Sequence, residues 1–121
     1  MLLDSNIIIY SADPAYSFLR KLIADKSPYV SVISKIEVLG YHKLQEKDRK
    51  LFSVFFADAP LIVLSDNIAN KAIELRQKRN LSLGDSIIAA TALEYDLTLV
   101  TRNTTDFTGV ENLKLLNPFE K

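Results

Sequence analysis

Four carboxylates, Asp4, Glu37, Asp85 and Asp106, each stand where an apolar stretch begins or ends, and they set the chemistry open to this chain. Asp85 is the clearest case. It opens a helix carrying Ile87, Ile88, Ala89, Ala90, Ala92 and Leu93, apolar almost all the way round and therefore expected in the core. Its alanines let other elements approach closely, and Ser82 and Gly84 read as turn and cap residues before it. For that helix alone, an acid in the first turn is ordinary stabilisation by the helix dipole, worth roughly 0.3–1 kcal/mol. Three more acids in similar settings change the reading. Carboxylates brought together repel and desolvate one another unless a cation lies between them. Hard oxygen donors suit Mg²⁺ or Mn²⁺, which keep several waters. Such ions acidify water, polarise a phosphoryl oxygen and stabilise a leaving oxyanion, so metal-dependent phosphodiester hydrolysis is the chemistry these residues support.

Composition removes the competitors. With no Cys there is no disulfide or thiolate metal site, and the redox compartment stays open. The single His, His42, argues against a His-rich zinc or iron centre and leaves no Ser–His or Cys–His nucleophile pair elsewhere. Only 3 glycines exclude a phosphate-cradling P-loop or a dinucleotide turn. A chain that is 48% hydrophobic and 25% charged folds rather than staying disordered, and 121 residues suffice for one domain, 1–121, with a proper core. Fifteen basic residues balance 15 acidic ones, and the pI is near 6.6, weak support for a nucleic-acid partner. The clusters Arg20-Lys21 and Arg76-Gln77-Lys78-Arg79 are candidate phosphate contacts, although each by itself reads as a solvated helix face. Apolar runs are short, so no membrane span is expected. An acid at position 4 without a basic leader predicts no signal peptide and a cytoplasmic protein.

Strands and helices alternate. Met1–Leu3 reads as the first strand, ending at Asp4, while Asn6–Tyr10 fits either strand or helix, with Ser5 or Asn6 as a cap. Pro14 suits the first turn of a helix bearing Tyr16, Leu19, Leu22 and Ile23. Tyr29–Val32 is a strand, and Ser34-Lys35-Ile36-Glu37 has the form of a capping box, which gives Glu37 a structural role as plausible as a metal-binding one. A helix over Glu46–Asp58 brings Leu51, Phe52, Val54, Phe55 and Phe56. Leu61–Leu64 reads as a strand inside a parallel sheet. Ser65 or Asp66 caps a long helix; after the Asp85 helix come strands at Leu97–Val100 and Leu113–Leu116, with a loop over Thr101–Phe107. This order predicts an α/β fold, a three-layer α/β/α domain with a central parallel sheet of four to five strands. Ligands in such folds gather beyond the carboxyl ends of the strands, the rim where all four acids can meet.

Met1-Leu2-Leu3-Asp4-Ser5-Asn6, Ser31–Glu37, Gly84–Ala92 and Leu99–Phe107, in that order and spacing, resemble a PIN-domain ribonuclease, and more narrowly the VapC-like toxins of type II toxin–antitoxin pairs. The resemblance covers essentially the whole chain. It implies a Mg²⁺- or Mn²⁺-dependent endoribonuclease whose metal is held by Asp4, Glu37, Asp85 and Asp106, with Ser5, Asn6, Thr101 and Asn103 in support. Some members carry an acid where this chain has Asn103, and others three residues later, as Asp106 stands here. The resemblance further implies an RNA substrate, a homodimer and a small antitoxin lying across a hydrophobic groove. The segment Leu51–Phe56 and the helix Tyr16–Ile23 are the candidates for that groove. Other readings are an RNA-processing PIN nuclease, a catalytically silent binding module on the same scaffold, and a phosphate-accepting receiver. The last wants paired acids at the first strand and a late Lys, where this chain has Asp4 alone and Arg102.

Overall fold

The computed structural model describes residues 1–120. Its strands are β1 (Leu2–Leu3), β2 (Val30–Ser31), β3 (Leu61–Ile62), β4 (Leu99–Val100) and β5 (Leu115–Leu116). β4 pairs in parallel with β1 and with β5, and β2 in parallel with β3. The Leu3 N–H donates to the Tyr29 carbonyl at 3.1 Å and the Tyr29 N–H to the Met1 carbonyl at 2.8 Å, which joins β2 to β1. The spatial order is therefore β3-β2-β1-β4-β5. The chain winds outward from β1 to β3, then returns to the other side of β1 as β4. Open parallel sheets bind ligands at such a reversal, beyond the strand ends. Here the residues that follow β1 and β4 are Asp4 and Thr101.

Successive strand residues face opposite sides, so two short strands divide the core in two. Leu2 and Leu99 pack with Ile68 and Leu75 of α5 (Asp66–Lys78), Ile88 and Ala89 of α6 (Leu83–Glu94) and Phe107 of α7 (Thr104–Phe107). Leu3 and Val100 pack with Ile7 and Ile8 of α1 (Ser5–Tyr10), Leu19 of α2 (Ser17–Lys26), Val38 of α3 (Val32–Leu39), and Phe52 and Phe56 of α4 (Glu46–Asp58). The result is the expected three-layer α/β/α arrangement. In α6 every residue from Ser86 to Ala92 is buried, as its all-round apolar sequence required. No helix among the described residues is long and apolar enough to cross a membrane.

Several local expectations are corrected. Of the two readings open for Asn6–Tyr10 the helix is the one found, and its cap is Asp4 rather than Ser5 or Asn6. The Pro14 turn is a separate 3₁₀ segment, Pro14–Tyr16, with the Asp13 carboxylate accepting from the Ala15 N–H. The run Leu61–Leu64 is an outermost strand of two residues and not an interior one; Leu61, Val63 and Leu64 stay exposed because only β2 lies beside it. The loop after β4 contains the short helix α7. Two arginines of the basic clusters tie down backbone. Arg20 donates from Nε to the Ser11 carbonyl at 2.7 Å, and Arg76 from Nε to the Leu81 carbonyl at 3.3 Å.

Candidate acidic site at the carboxyl edge of the sheet

Asp4 occupies the cap position of α1, yet its side chain makes no capping bond to that helix. The carboxylate is held from across the sheet instead. Thr101 donates its hydroxyl to Asp4 Oδ2 at 2.8 Å, and the same Oγ1 accepts the Asn103 N–H at 3.1 Å. Both Asp4 and Thr101 are buried. Burial pushes the Asp4 carboxyl above its ordinary range, the Thr101 hydroxyl opposes that, and the negative charges of Asp85 and Glu37 push it up further.

Glu37 does not sit in a capping box. α3 starts three residues earlier than the Ser34-x-x-Glu37 pattern suggested: Ser31 is the cap, its Oγ accepting the Ile33 N–H at 3.1 Å. Glu37 therefore falls in the last turn, where the helix dipole disfavours a carboxylate. It is held by α1. Ser5 Oγ lies 2.8 Å from Glu37 Oε1 and 2.9 Å from the Oγ of buried Ser34. A hydroxyl has one proton, so Ser5 donates to the carboxylate and accepts from Ser34.

Ser82 caps α6, accepting the Asp85 N–H at 3.1 Å, and Asp85 stands third in the helix. Burial raises the Asp85 carboxyl first, the Ser82 hydroxyl counteracts it, and the charges of Asp106 and Glu37 raise it again. Gly84 lets α3 come this close, since a Cβ there would lie 2.8 Å from Glu37 Oε2. Asp106 belongs to α7, whose base is the buried Phe107 and whose exit is strapped by Arg79 donating from Nη1 to the Thr108 carbonyl at 3.4 Å. Gly109, at φ 89°, provides the turn beneath that strap.

The fold thus places Asp4, Glu37 and Asp85 within electrostatic reach of one another and Asp106 within reach of Asp85, with Ser5 bonded to Glu37 and Thr101 to Asp4. Asn6 is exposed and bonds to none of these acids, and Asn103 takes part through its backbone N–H. Ser34 and Gly84 are the additions. Ser34 was hidden by its spacing from Glu37, which matches a helix cap, and Gly84 by its place next to a real one. The ion pairs among the described residues, Arg49–Glu46, Lys71–Glu74 and Lys114–Asp96, all lie elsewhere, so no base neutralises the four acids. No three His, Asp or Glu side chains among the described residues are arranged to hold an ion directly. The donor set, oxygen only and uncompensated, fits a hard divalent cation that keeps part of its water shell.

Residues 1–112 match the sequence profile of the PIN domain. The chain belongs to the PIN-domain family. PIN domains are in general nucleases that use divalent metal ions. This PIN domain superposes on a toxin–antitoxin complex from Klebsiella pneumoniae with a TM-score of 0.80 and 29% identity, over 99% of this chain and 98% of the other. It superposes on VapBC2 from Rickettsia felis, solved bound to a promoter DNA fragment, with a TM-score of 0.79 and 25% identity over 96% of each chain. DNA-bound VapBC from Salmonella typhimurium, 20% identical over 95% of each chain at a TM-score of 0.80, shares the fold. No curated protein matches the sequence.

One surface feature adjoins the site of this PIN domain. A groove of about 490 Å³ runs from Glu37 past Ile9, Val38, Tyr41, Leu44 and Phe52. It lies between α1, α3 and α4 and includes Phe52 of the Leu51–Phe56 segment, while Ile23 of the Tyr16–Ile23 helix and Phe55 line a separate, smaller recess of about 280 Å³. Phe52 and Phe56 are core residues, 4% and 5% exposed. On another face a recess of about 200 Å³ is ringed by Leu64, Ile73 and Leu83, each about half exposed.

Proposed function

We propose that this PIN domain is a Mg²⁺- or Mn²⁺-dependent endoribonuclease acting as the toxin of a toxin–antitoxin pair. The observation that carries the reading is the cluster of Asp4, Glu37, Asp85 and Asp106 at the β1/β4 reversal, where neighbouring negative charges help to raise the carboxyls of Asp4 and Asp85 and none of the ion pairs among the described residues involves the four acids. A divalent ion bound there supplies Lewis acidity toward a phosphoryl oxygen and acidifies water for attack on the phosphorus.

The protein's own part is positioning. Asp4, at the cap of α1, and Asp85, in the first turn of α6, would hold the ion. Glu37, oriented by Ser5 and Ser34, and Asp106 on α7 would complete the set through the waters the ion keeps. Thr101 keeps Asp4 turned away from its own helix, so that its carboxylate serves the site rather than a cap. Asn6 and Asn103 flank the acids as polar groups for the RNA backbone or for ordered water.

Two partners follow. The apolar groove that opens at Glu37 is a path for an antitoxin segment to reach the acids, in keeping with the toxin–antitoxin assemblies this chain resembles. The Leu64, Ile73 and Leu83 recess is the face for a second copy of the chain. A cytoplasmic location agrees with both.

The test is cleavage of RNA by the purified, antitoxin-free protein in Mg²⁺, in Mn²⁺ and in EDTA, beside Asp85→Asn. Each tenfold in rate corresponds to about 1.4 kcal/mol of barrier. Cutting that needs metal and falls by several powers of ten in the variant supports the reading. Cutting that survives EDTA or the substitution refutes it.

A further inference from the structure

Arg102 stands between Thr101, which holds Asp4, and Asn103, which begins α7. Its guanidinium carbon lies 4.1 Å from the centroid of the Phe119 ring, 5.3 Å from that of Tyr10 and 5.8 Å from that of Tyr16. The rings themselves are locked edge to face, with Phe119 5.6 Å from Tyr10 and 5.2 Å from Tyr16. The chain is bent to make this platform. Asn117 donates from Nδ2 to the Arg102 carbonyl at 3.4 Å and accepts the Phe119 N–H at 3.0 Å, which seats the Phe119 ring under the guanidinium. The tyrosines favour its charged form.

An arginine stacked on a ring presents its N–H groups in the plane away from it, in a fork that matches a phosphate. Arg20, Arg76 and Arg79 already donate to backbone carbonyls, but Arg102 is exposed and makes no bond to a carbonyl or carboxylate among the described residues. It is also close to the acids, because α1 carries the chain only roughly 8 Å from Ser5 to Tyr10. Four acids repel a polyanion, so a strand entering this rim needs a fixed positive charge beside them.

We propose that Arg102, held on Phe119 between Tyr10 and Tyr16, is a phosphate-binding site that grips the backbone of a single-stranded RNA next to the acidic cluster. This rests on the nuclease reading above. The aromatic clamp keeps the guanidinium in place before RNA arrives, so less side-chain freedom is lost on binding.

The test uses a labelled pool of random-sequence single-stranded RNA dodecamers, with the full chain carrying Asp85→Asn to suppress cutting, in Mg²⁺ and at several salt concentrations. Added to that background, Arg102→Gln is expected to weaken binding about tenfold. It should also reduce the slope of log affinity against log salt by about 0.7, the share of one phosphate on a single strand. Arg102→Lys should keep the slope, and Phe119→Leu should weaken binding while keeping it. An unchanged affinity and slope in Arg102→Gln, while the parent chain binds and the active protein cuts, overturns the clamp and leaves the nuclease intact. Weaker binding with an unchanged slope and a lowered melting temperature makes Arg102 a strut for the Asn117–Phe119 segment and overturns the proposal. So does a loss of copurified antitoxin with RNA binding unaltered, which gives the surface to a protein partner. Failure of the parent chain to bind RNA and of the active protein to cut it removes both readings together.

Discussion

The Glu37 carboxylate rests against the backbone of Gly84, leaving no room for a Cβ, which would lie 2.8 Å from Oε2. Two acids on different helices, Glu37 and Asp85, are thereby brought together by the absence of a side chain between them. Gly84→Ala separates stability from function. Alanine favours the helix by roughly 0.5–1 kcal/mol relative to glycine, and the atom in the way is the end of a side chain. The melting temperature should hold or rise slightly. The displaced carboxylate should lower RNA cleavage by roughly 100-fold, the scale of a misplacement of about 1 Å. A variant that cuts normally would show that the position of Glu37 is immaterial.

Thr101→Val keeps the shape of a buried side chain and removes the hydroxyl that serves both Asp4 and the Asn103 N–H. Leaving those groups unsatisfied should destabilise the protein by roughly 1–3 kcal/mol. Thr101→Ser, which restores the hydroxyl, should recover most of this in chemical denaturation. Equal losses in both variants would assign the effect to packing of the methyl group.

Asp4 and Asp85 both have carboxyl groups raised above the ordinary 3.8 in the folded protein. Without metal the folded state therefore binds these protons more tightly than the unfolded chain does. Their contribution to stability falls as pH rises from near 3.8 through the raised folded values, and the penalty is complete only above those values. Asp4→Asn, whose amide oxygen can still accept from Thr101, should melt higher than the parent at about pH 7 in EDTA and should lose less stability between about pH 4 and 7. Mg²⁺ should reverse the order, stabilising the parent by about 2.7 kcal/mol at one hundred times its dissociation constant and the variant much less. Melting curves in EDTA and in Mg²⁺ across that range decide it.

Ile9 and Tyr41, 47% and 53% exposed, line the groove beside Glu37 without belonging to the core. Ile9→Asp with Tyr41→Ala should abolish copurification with a coexpressed antitoxin while leaving the fold intact. Phe52→Asp, by contrast, should unfold the chain, since burying an unpaired charge costs several kcal/mol. Retention of the antitoxin by the first variant would move its seat to another face.

Ile73→Glu places a charge in the ring with Leu64 and Leu83. Light scattering should show the parent at twice the mass of this variant, and circular dichroism should be unchanged. Equal masses would dissociate this recess from self-association.

The alternation of elements, the buried Asp85 helix and three-layer packing were readable from hydrophobic pattern alone, because those features depend on which residues avoid water. Boundaries at the site were harder. Ser34 and Glu37 have the spacing of a capping box, but so do other serines placed by chance, and only the strand Val30–Ser31 shows that Ser31 is already at the helix start. Glu37 then lies where its own helix does not want it, and its partner Ser5 is distant in sequence. Leu61–Leu64 had the composition of an interior strand; its place at the edge depends on sheet order, which no local pattern records. Asp106 has the sequence context of a loop residue because α7 is only 4 residues long, too short for periodicity to register.

Asp4 and Thr101, bonded across the sheet, are 97 residues apart in sequence. A ribosome making this chain adds the carboxylate 97 residues before the hydroxyl that holds it. Until β4 has emerged and docked on β1, the first carboxylate has no hydroxyl to orient it and Asp106 has not been made. The four-acid arrangement is thus withheld from the nascent polypeptide, and a product cut short before residues 99–106 carries three of the acids without the strand that brings them to their post.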